Sequence, residues 1–166
     1  MQLRRIHIRD FRKLSHVLIA DLKDGLNVIV GDNEAGKSTV LAALRAALFE
    51  RHRVTGAVAE AMMPYGQSVR PEITLDFEIF GKPFRLFKAF CSKPEAELIG
   101  PGERLTGDAV EERLAELFGF NAPGKGGSSP ERHQGAYGLP WVEQGAAHRS
   151  LGIGAGRDAL SSALEA

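Results

Sequence analysis

The sequence predicts an α/β lobe with a mixed sheet and an antiparallel β-subdomain. Three observations carry that class. The apolar run Leu26, Val28, Ile29, Val30 ends at Gly31, and nine positions later, at Val40, an apolar pattern of helical spacing begins. Ile73, Leu75, Phe77 and Ile79 alternate with Thr74, Asp76 and Glu78, the period of a half-buried strand. Gly81-Lys82-Pro83 then turns the chain back into Phe84, Leu86 and Phe90, which completes an antiparallel hairpin.

The elements follow in order. Ile6 and Ile8 alternate with His7 and Arg9 in a first strand, and "HVLIADL" gives a second. Asp24-Gly25 is a turn signal. The run from Leu26 to Val30 reads as a short strand buried on both faces. Val40, Leu41, Leu44, Ala47 and Leu48 hold one face of a helix. Residues 51–69 read as loop with a short helix, in which Met62 and Met63 pack. Lys88 interrupts the apolar set of the returning strand. Phe84, Phe87 and Phe90 could form a base-stacking platform, but aromatics are ordinary strand residues and core packing is the stronger reading. Thr106 begins a helix whose stripe is Val110, Leu114, Leu117 and Phe118, with Gly119 as C-cap. Residues 121–135, rich in Gly, Ser and Pro, are expected to be flexible. "GRDALSSALEA" begins a further helix.

Between the apolar run and the first helix lies "GDNEAGKS". Gly31, Gly36, Lys37 and Ser38 fit G-x-x-x-x-G-K-S/T, the P-loop or Walker A pattern. Its chemistry needs this context. Glycines let the backbone curl around a phosphate with N–H groups inward. The helix N-terminus adds unpaired donors and partial positive charge. Lys37 can reach the β- and γ-phosphates, and the Ser38 hydroxyl can ligate Mg²⁺.

Bulk properties narrow the rest. The chain has 166 residues, with 21 Lys plus Arg against 21 Asp plus Glu, so overall charge argues for no nucleic-acid partner. Arg4, Arg5, Arg9, Arg12 and Lys13 face only Asp10 near the start. That cluster is either a phosphate-attracting patch or the solvated face of an edge strand. Cys91 is the only cysteine, which fits a reducing cytoplasm. The five histidines lack metal-ligand spacing. No apolar stretch approaches the roughly 20 residues that span a bilayer, so no membrane partner is expected. No apolar strand ending in Asp or Glu follows the P-loop, so the second acidic Mg²⁺ ligand of P-loop ATPases (Walker B) is not found.

With these residues on the page, the chain resembles the N-terminal segment of SMC-like ABC ATPases. That group includes the double-strand-break-repair ATPases, the SbcC subunit of bacterial exonucleases, and RecF-type and YhaN-like proteins. "DFRKL" is similar to the family's N-terminal strand end, "GLNVIVGDNEAGKST" to its long P-loop and "WVEQG" to its Q-loop. The resemblance implies an ABC-type P-loop NTPase lobe over residues 1–150. It implies ATP bound by Gly31, Asn33, Glu34, Ala35, Gly36, Lys37, Ser38 and Thr39, with Arg12 near the phosphates. Mg²⁺ would be held by Ser38 and contacted by Gln144. Residues 151–166 would start a coiled-coil arm. A C-terminal lobe carrying the signature motif and Walker B would complete the ATPase (an ATP hydrolase), so this segment alone is expected to bind nucleotide with little turnover. The implied partners are that lobe, a second head as homodimer, DNA and a nuclease subunit, in DNA repair or chromosome maintenance. Two rivals stand beside this reading: a P-loop kinase, and a non-catalytic interaction module that keeps the P-loop for folding.

Overall fold

The alternation near the N-terminus becomes a hairpin. In the computed structural model, which describes residues 1–120, β1 runs Gln2–Phe11 and β2 Leu14–Ile19. Ile6, Ile8 and Phe11 turn inward and are buried. Arg12 and Lys13 form the two-residue turn between them. The basic residues of β1 are not on a sheet edge: β1 pairs with β2 on one side and β3 on the other.

The other predicted hairpin is also present. β3 (Glu72–Ile79) buries Ile73, Leu75, Phe77 and Ile79 and leaves Thr74, Asp76 and Glu78 half-exposed. It returns through Phe80-Gly81 into β4 (Lys82–Ala89). Phe84, Leu86 and Phe90 are buried, and the Phe77 and Phe84 rings stack at 5.6 Å, so these aromatics are core. Lys88 shares their face and is fully buried. Its ammonium donates to the Glu50 carbonyl at 2.7 Å, where the first helix, α1 (Lys37–Phe49), ends. A cation at a helix C-terminus satisfies an orphan carbonyl and the negative end of the dipole. The residue that breaks the apolar pattern therefore ties the sheet to the P-loop helix, which lies against β1, β3 and β4.

Two strands follow that the sequence reading passed over. β5 (Glu95–Gly100) and β6 (Glu103–Thr106) form a hairpin around Pro101-Gly102. Gly100 is required by space, since a Cβ there would sit 2.5 Å from Phe84 Cε1. Thr106 ends β6 and does not begin a helix. Gly107, at φ 63°, breaks the strand, and α3 runs Asp108–Phe118 with Val110, Leu114 and Phe118 buried and Leu117 half-buried. The short helix expected in the loop is α2 (Ala57–Glu60), beside buried Met62; Met63 is half-buried.

The sheet order is β2-β1-β3-β4-β5-β6, and every ladder is antiparallel. Among the described residues all six strands pair antiparallel. The run from Leu26 to Val30 corrects the sequence reading: it forms no strand. Leu26 is 89% exposed, Val28 69%, Ile29 45% and Val30 84%. A continuous apolar strand needs cover on both faces, and no described strand pairs with this one. Met1–Val110 forms one compact unit. The expected flexible stretch 121–135, the Q-loop with Gln144 and the helix of 151–166 lie outside the described residues.

Candidate nucleotide site

The loop between Val30 and α1 is shaped by two residues at positive φ. Glu34 sits at 68° and Gly36 at 98°, and Gly36 precedes the helix directly. Gly36 is buried, and a Cβ on it would meet Leu14 Cδ2 at 2.7 Å. Glycine is thus required twice over, by backbone conformation and by the approach of the β1–β2 hairpin. The Ala35 N–H donates to the Asp32 carbonyl at 3.2 Å and closes a turn within the loop. The Val40 N–H donates to the Gly36 carbonyl at 3.0 Å and starts the helical ladder, so the N–H groups of the first turn have no acceptor within the helix.

Lys37 curls back over this loop. Its ammonium donates to the Gly31 carbonyl at 2.6 Å and the Asp32 carbonyl at 2.7 Å. Ser38 is exposed in the first turn, and Thr39 is buried. Gly31, Asn33, Glu34 and Ala35 are exposed along the loop. The donor set, an ammonium, a hydroxyl and helix-start N–H groups around a glycine that admits no side chain, fits a polyphosphate.

Arg12 lies in the β1–β2 turn. It lies at φ 52°, its backbone N–H donates to the Met62 carbonyl at 2.8 Å, and its Nε donates to the Ala61 carbonyl at 3.0 Å. Its neighbour Lys13 also touches the P-loop: the Lys13 ammonium donates to the Glu34 carbonyl. Sequence reasoning placed Lys13 in the basic cluster but not in the site. Arg4 is committed elsewhere, to Asp24 at 2.7 Å and Glu78 at 3.0 Å. Its guanidinium is raised above the usual range, first by the Glu78 bond and then by Asp24.

Away from the loop, His7 and His16 meet across the β1–β2 hairpin, Nε2 to Nε2 at 2.9 Å. Burial holds the His7 imidazole below its ordinary range, and His16, Arg9 and Arg5 push in the same direction against Glu72. Burial also pushes the Cys91 thiol up, away from the thiolate form a nucleophile needs. A cleft of about 490 Å³ runs beside the loop, lined by Leu3, Leu22, Ile29, Val40, Leu41 and Leu44, with Lys37 also on its wall.

The AAA domain family model matches residues 5–92, more than half of the chain. An uncharacterized protein of Mycobacterium tuberculosis is 31% identical over 123 residues, 71% of this chain, and a Mycobacterium bovis protein matches to the same extent. The chain spans about 14% of the length of these curated relatives. Among solved structures, one described under ATP-driven dimerization and DNA-stimulated activation of SMC ATPases superposes with TM-score 0.55 at 15% identity. It covers all of this chain and 92% of that one. No helix among the described residues is long and apolar enough to cross a membrane. The chain belongs to the AAA domain family, and it shares its fold with a solved SMC ATPase structure.

Proposed function

We propose that this lobe binds ATP with Mg²⁺ at Gly31–Thr39, as the nucleotide-holding part of a larger ATPase head. The observation that carries the reading is Lys37 folded onto the Gly31 and Asp32 carbonyls at the mouth of a glycine-shaped loop. Neutral carbonyls are weaker acceptors than phosphate oxygens, and charge-assisted bonds are roughly twice as strong as neutral ones. Ser38 and Gln144 are the residues proposed to hold Mg²⁺. When bound, the metal would offset phosphate charge, and Lys37 would hold the polyphosphate in place.

The partner of this lobe is a second lobe that covers the run from Leu26 to Val30. Four apolar side chains stand exposed there beside a cleft with an apolar lining. Burying each Val, Leu or Ile side chain is worth about 1.5–3 kcal/mol, a strong drive for a partner strand to add here. A strand ending in an acidic residue, supplied by that second lobe, would complete the metal site and permit hydrolysis. Pairing of two such heads around ATP is supported by the fold shared with an SMC ATPase described as dimerizing on ATP. A coiled-coil arm after residue 151, a nuclease partner, and action on DNA in repair or chromosome maintenance in the cytoplasm follow the sequence resemblance. Stimulation by DNA is described for that same SMC ATPase.

Calorimetric titration of ATP into the chain tests the reading. Binding that Lys37→Ala weakens by at least tenfold, with the fold intact by circular dichroism, is the expected result. The removed charge-assisted bonds are worth about 1.5–3 kcal/mol each. A variant that binds like the unmodified chain rejects the phosphate role of Lys37.

A further inference from the structure

We propose that His7 and His16 form a chelating pair for a divalent transition-metal ion on the β1–β2 hairpin. The site is independent of the nucleotide-binding reading above. The two residues are 9 positions apart in the chain, a spacing that signals nothing by itself, and the hairpin brings them together. His7 alternates with buried Ile6 and Ile8, so its ring stands on the opposite face of the sheet. In the register His7 lies opposite Leu18 and His16 opposite Arg9, which makes the histidines diagonal neighbours on that face. Their Nε2 atoms are 2.9 Å apart, and their ring centres 5.0 Å apart.

That separation suits one shared cation. Two imidazole nitrogens on one ion at about 2.0–2.1 Å are about 2.9 Å apart at a right angle and about 3.4 Å apart at the tetrahedral angle. The pair therefore fits the right-angled geometry of Ni²⁺ and Cu²⁺, ions that imidazole suits. Without metal, one Nε2 carries the proton of the hydrogen bond. On binding, that ring takes the tautomer with its proton on Nδ1, and both Nε2 lone pairs become ligands. Small turns about the soft χ2 torsions aim them at the ion. The frame beneath is held, because β1 is paired on both sides, with β2 and β3. Burial first, then His16, Arg9 and Arg5, keep the His7 ring neutral, the form that binds metal. Arg5 and Arg9 repel a cation and Glu72 attracts it, so the imidazoles and not the surrounding charge carry the affinity. Among the described residues no third histidine, cysteine or carboxylate joins the pair, so water fills the remaining positions. Mg²⁺ takes oxygen ligands, which separates this pair from the metal proposed at Ser38. Among the described strands β2 ends the sheet and pairs with β1 alone, so an ion held by both histidines staples the edge strand to its neighbour.

The test is calorimetric titration of Ni²⁺ into the untagged chain, His7→Gln and His16→Gln, with saturating Mg²⁺ present. One Ni²⁺ should bind per chain, and each replacement should weaken it at least about a hundredfold, the gain that a second ligand on the same frame brings. Affinity should fall as pH drops through the histidine range, because protons compete for the ligands. Ni²⁺ should also raise the unfolding midpoint of the unmodified chain and of neither variant. Cu²⁺ on the unmodified chain should show magnetic coupling to two imidazole nitrogens, a readout that needs no variant to fold. Ni²⁺ bound equally well by both variants overturns the assignment, as does a loss in only one of them, which marks a single surface histidine. Coupling to one nitrogen, displacement of Ni²⁺ by Mg²⁺, or no Ni²⁺ binding at all overturns it too, and leaves His7 and His16 a hydrogen-bonded cross-strand pair. None of these outcomes bears on ATP binding at the P-loop.

Discussion

β3 and the run from Leu26 to Val30 are similarly apolar and end in different states. In β3 the apolar residues fall on alternate positions, so one face is buried and the other carries Asp76 and Glu78. The strand has neighbours on both sides, β1 and β4. In the 26–30 run three apolar residues are consecutive, so both faces ask for cover, and Leu26, Val28 and Val30 are more than two-thirds exposed. The antiparallel sheet joins its hairpins through the long-range β1–β3 ladder. The segment leading into the P-loop pairs with none of the described strands. The P-loop thus joins the α1–sheet unit to an exposed apolar segment.

The largest effect should come from removing a side chain of the sheet. Phe77 is buried and stacks on Phe84, so Phe77→Ala should cost about 3–5 kcal/mol in denaturant unfolding. Val28→Ala in the same chain should change stability by less than about 0.5 kcal/mol, as surface substitutions do. Comparable losses for the two would break the comparison.

Gly100→Ala should fall between them. The added methyl meets Phe84 Cε1 at 2.5 Å and Cδ1 at 2.7 Å without any positive φ, so overpacking alone predicts about 1–3 kcal/mol by the same unfolding assay. A neutral result would mean that the β4–β5 contact yields more readily than a packed core.

A smaller effect concerns pH. His7 has a folded-state pKa held below the unfolded value, first by burial and then by His16. Its neutral form is favoured in the fold. Its contribution to stability is therefore present above the unfolded histidine value of about 6.5 and is lost as pH falls through the lower folded value. Unfolding midpoints should drop on acidification through that range, and His7→Gln should flatten the drop. An identical pH profile in the variant would remove His7 as the source.

The parts legible in the sequence were those with a local period. Ile6 and Ile8, the β3 alternation and the stripe of α1 all carry their own pattern. The β5–β6 hairpin was passed over although Ala96 and Leu98 alternate with glutamates, because its strands are short and Pro101-Gly102 reads as loop. Thr106 was assigned to the helix because strand and helix are separated only by Gly107. In the site, Gly36 and Lys37 were readable from spacing. Lys13 was not, because its position depends on a turn fixed by Arg12 at positive φ and by Leu14 packing, neither of which leaves a mark in composition. The exposure of Val28 and Val30 was unreadable for a different reason: an apolar run states that cover is needed, not where the cover comes from.

Amide hydrogen exchange, followed with and without ATP and Mg²⁺, addresses the central claim most directly. Nucleotide binding at the P-loop predicts slowed exchange across Gly31–Thr39 and in the Arg12-Lys13 turn, with β3 and β4 unchanged because their ladders are already formed. Exchange across Gly31–Thr39 that is the same with and without saturating ATP and Mg²⁺ would contradict the account.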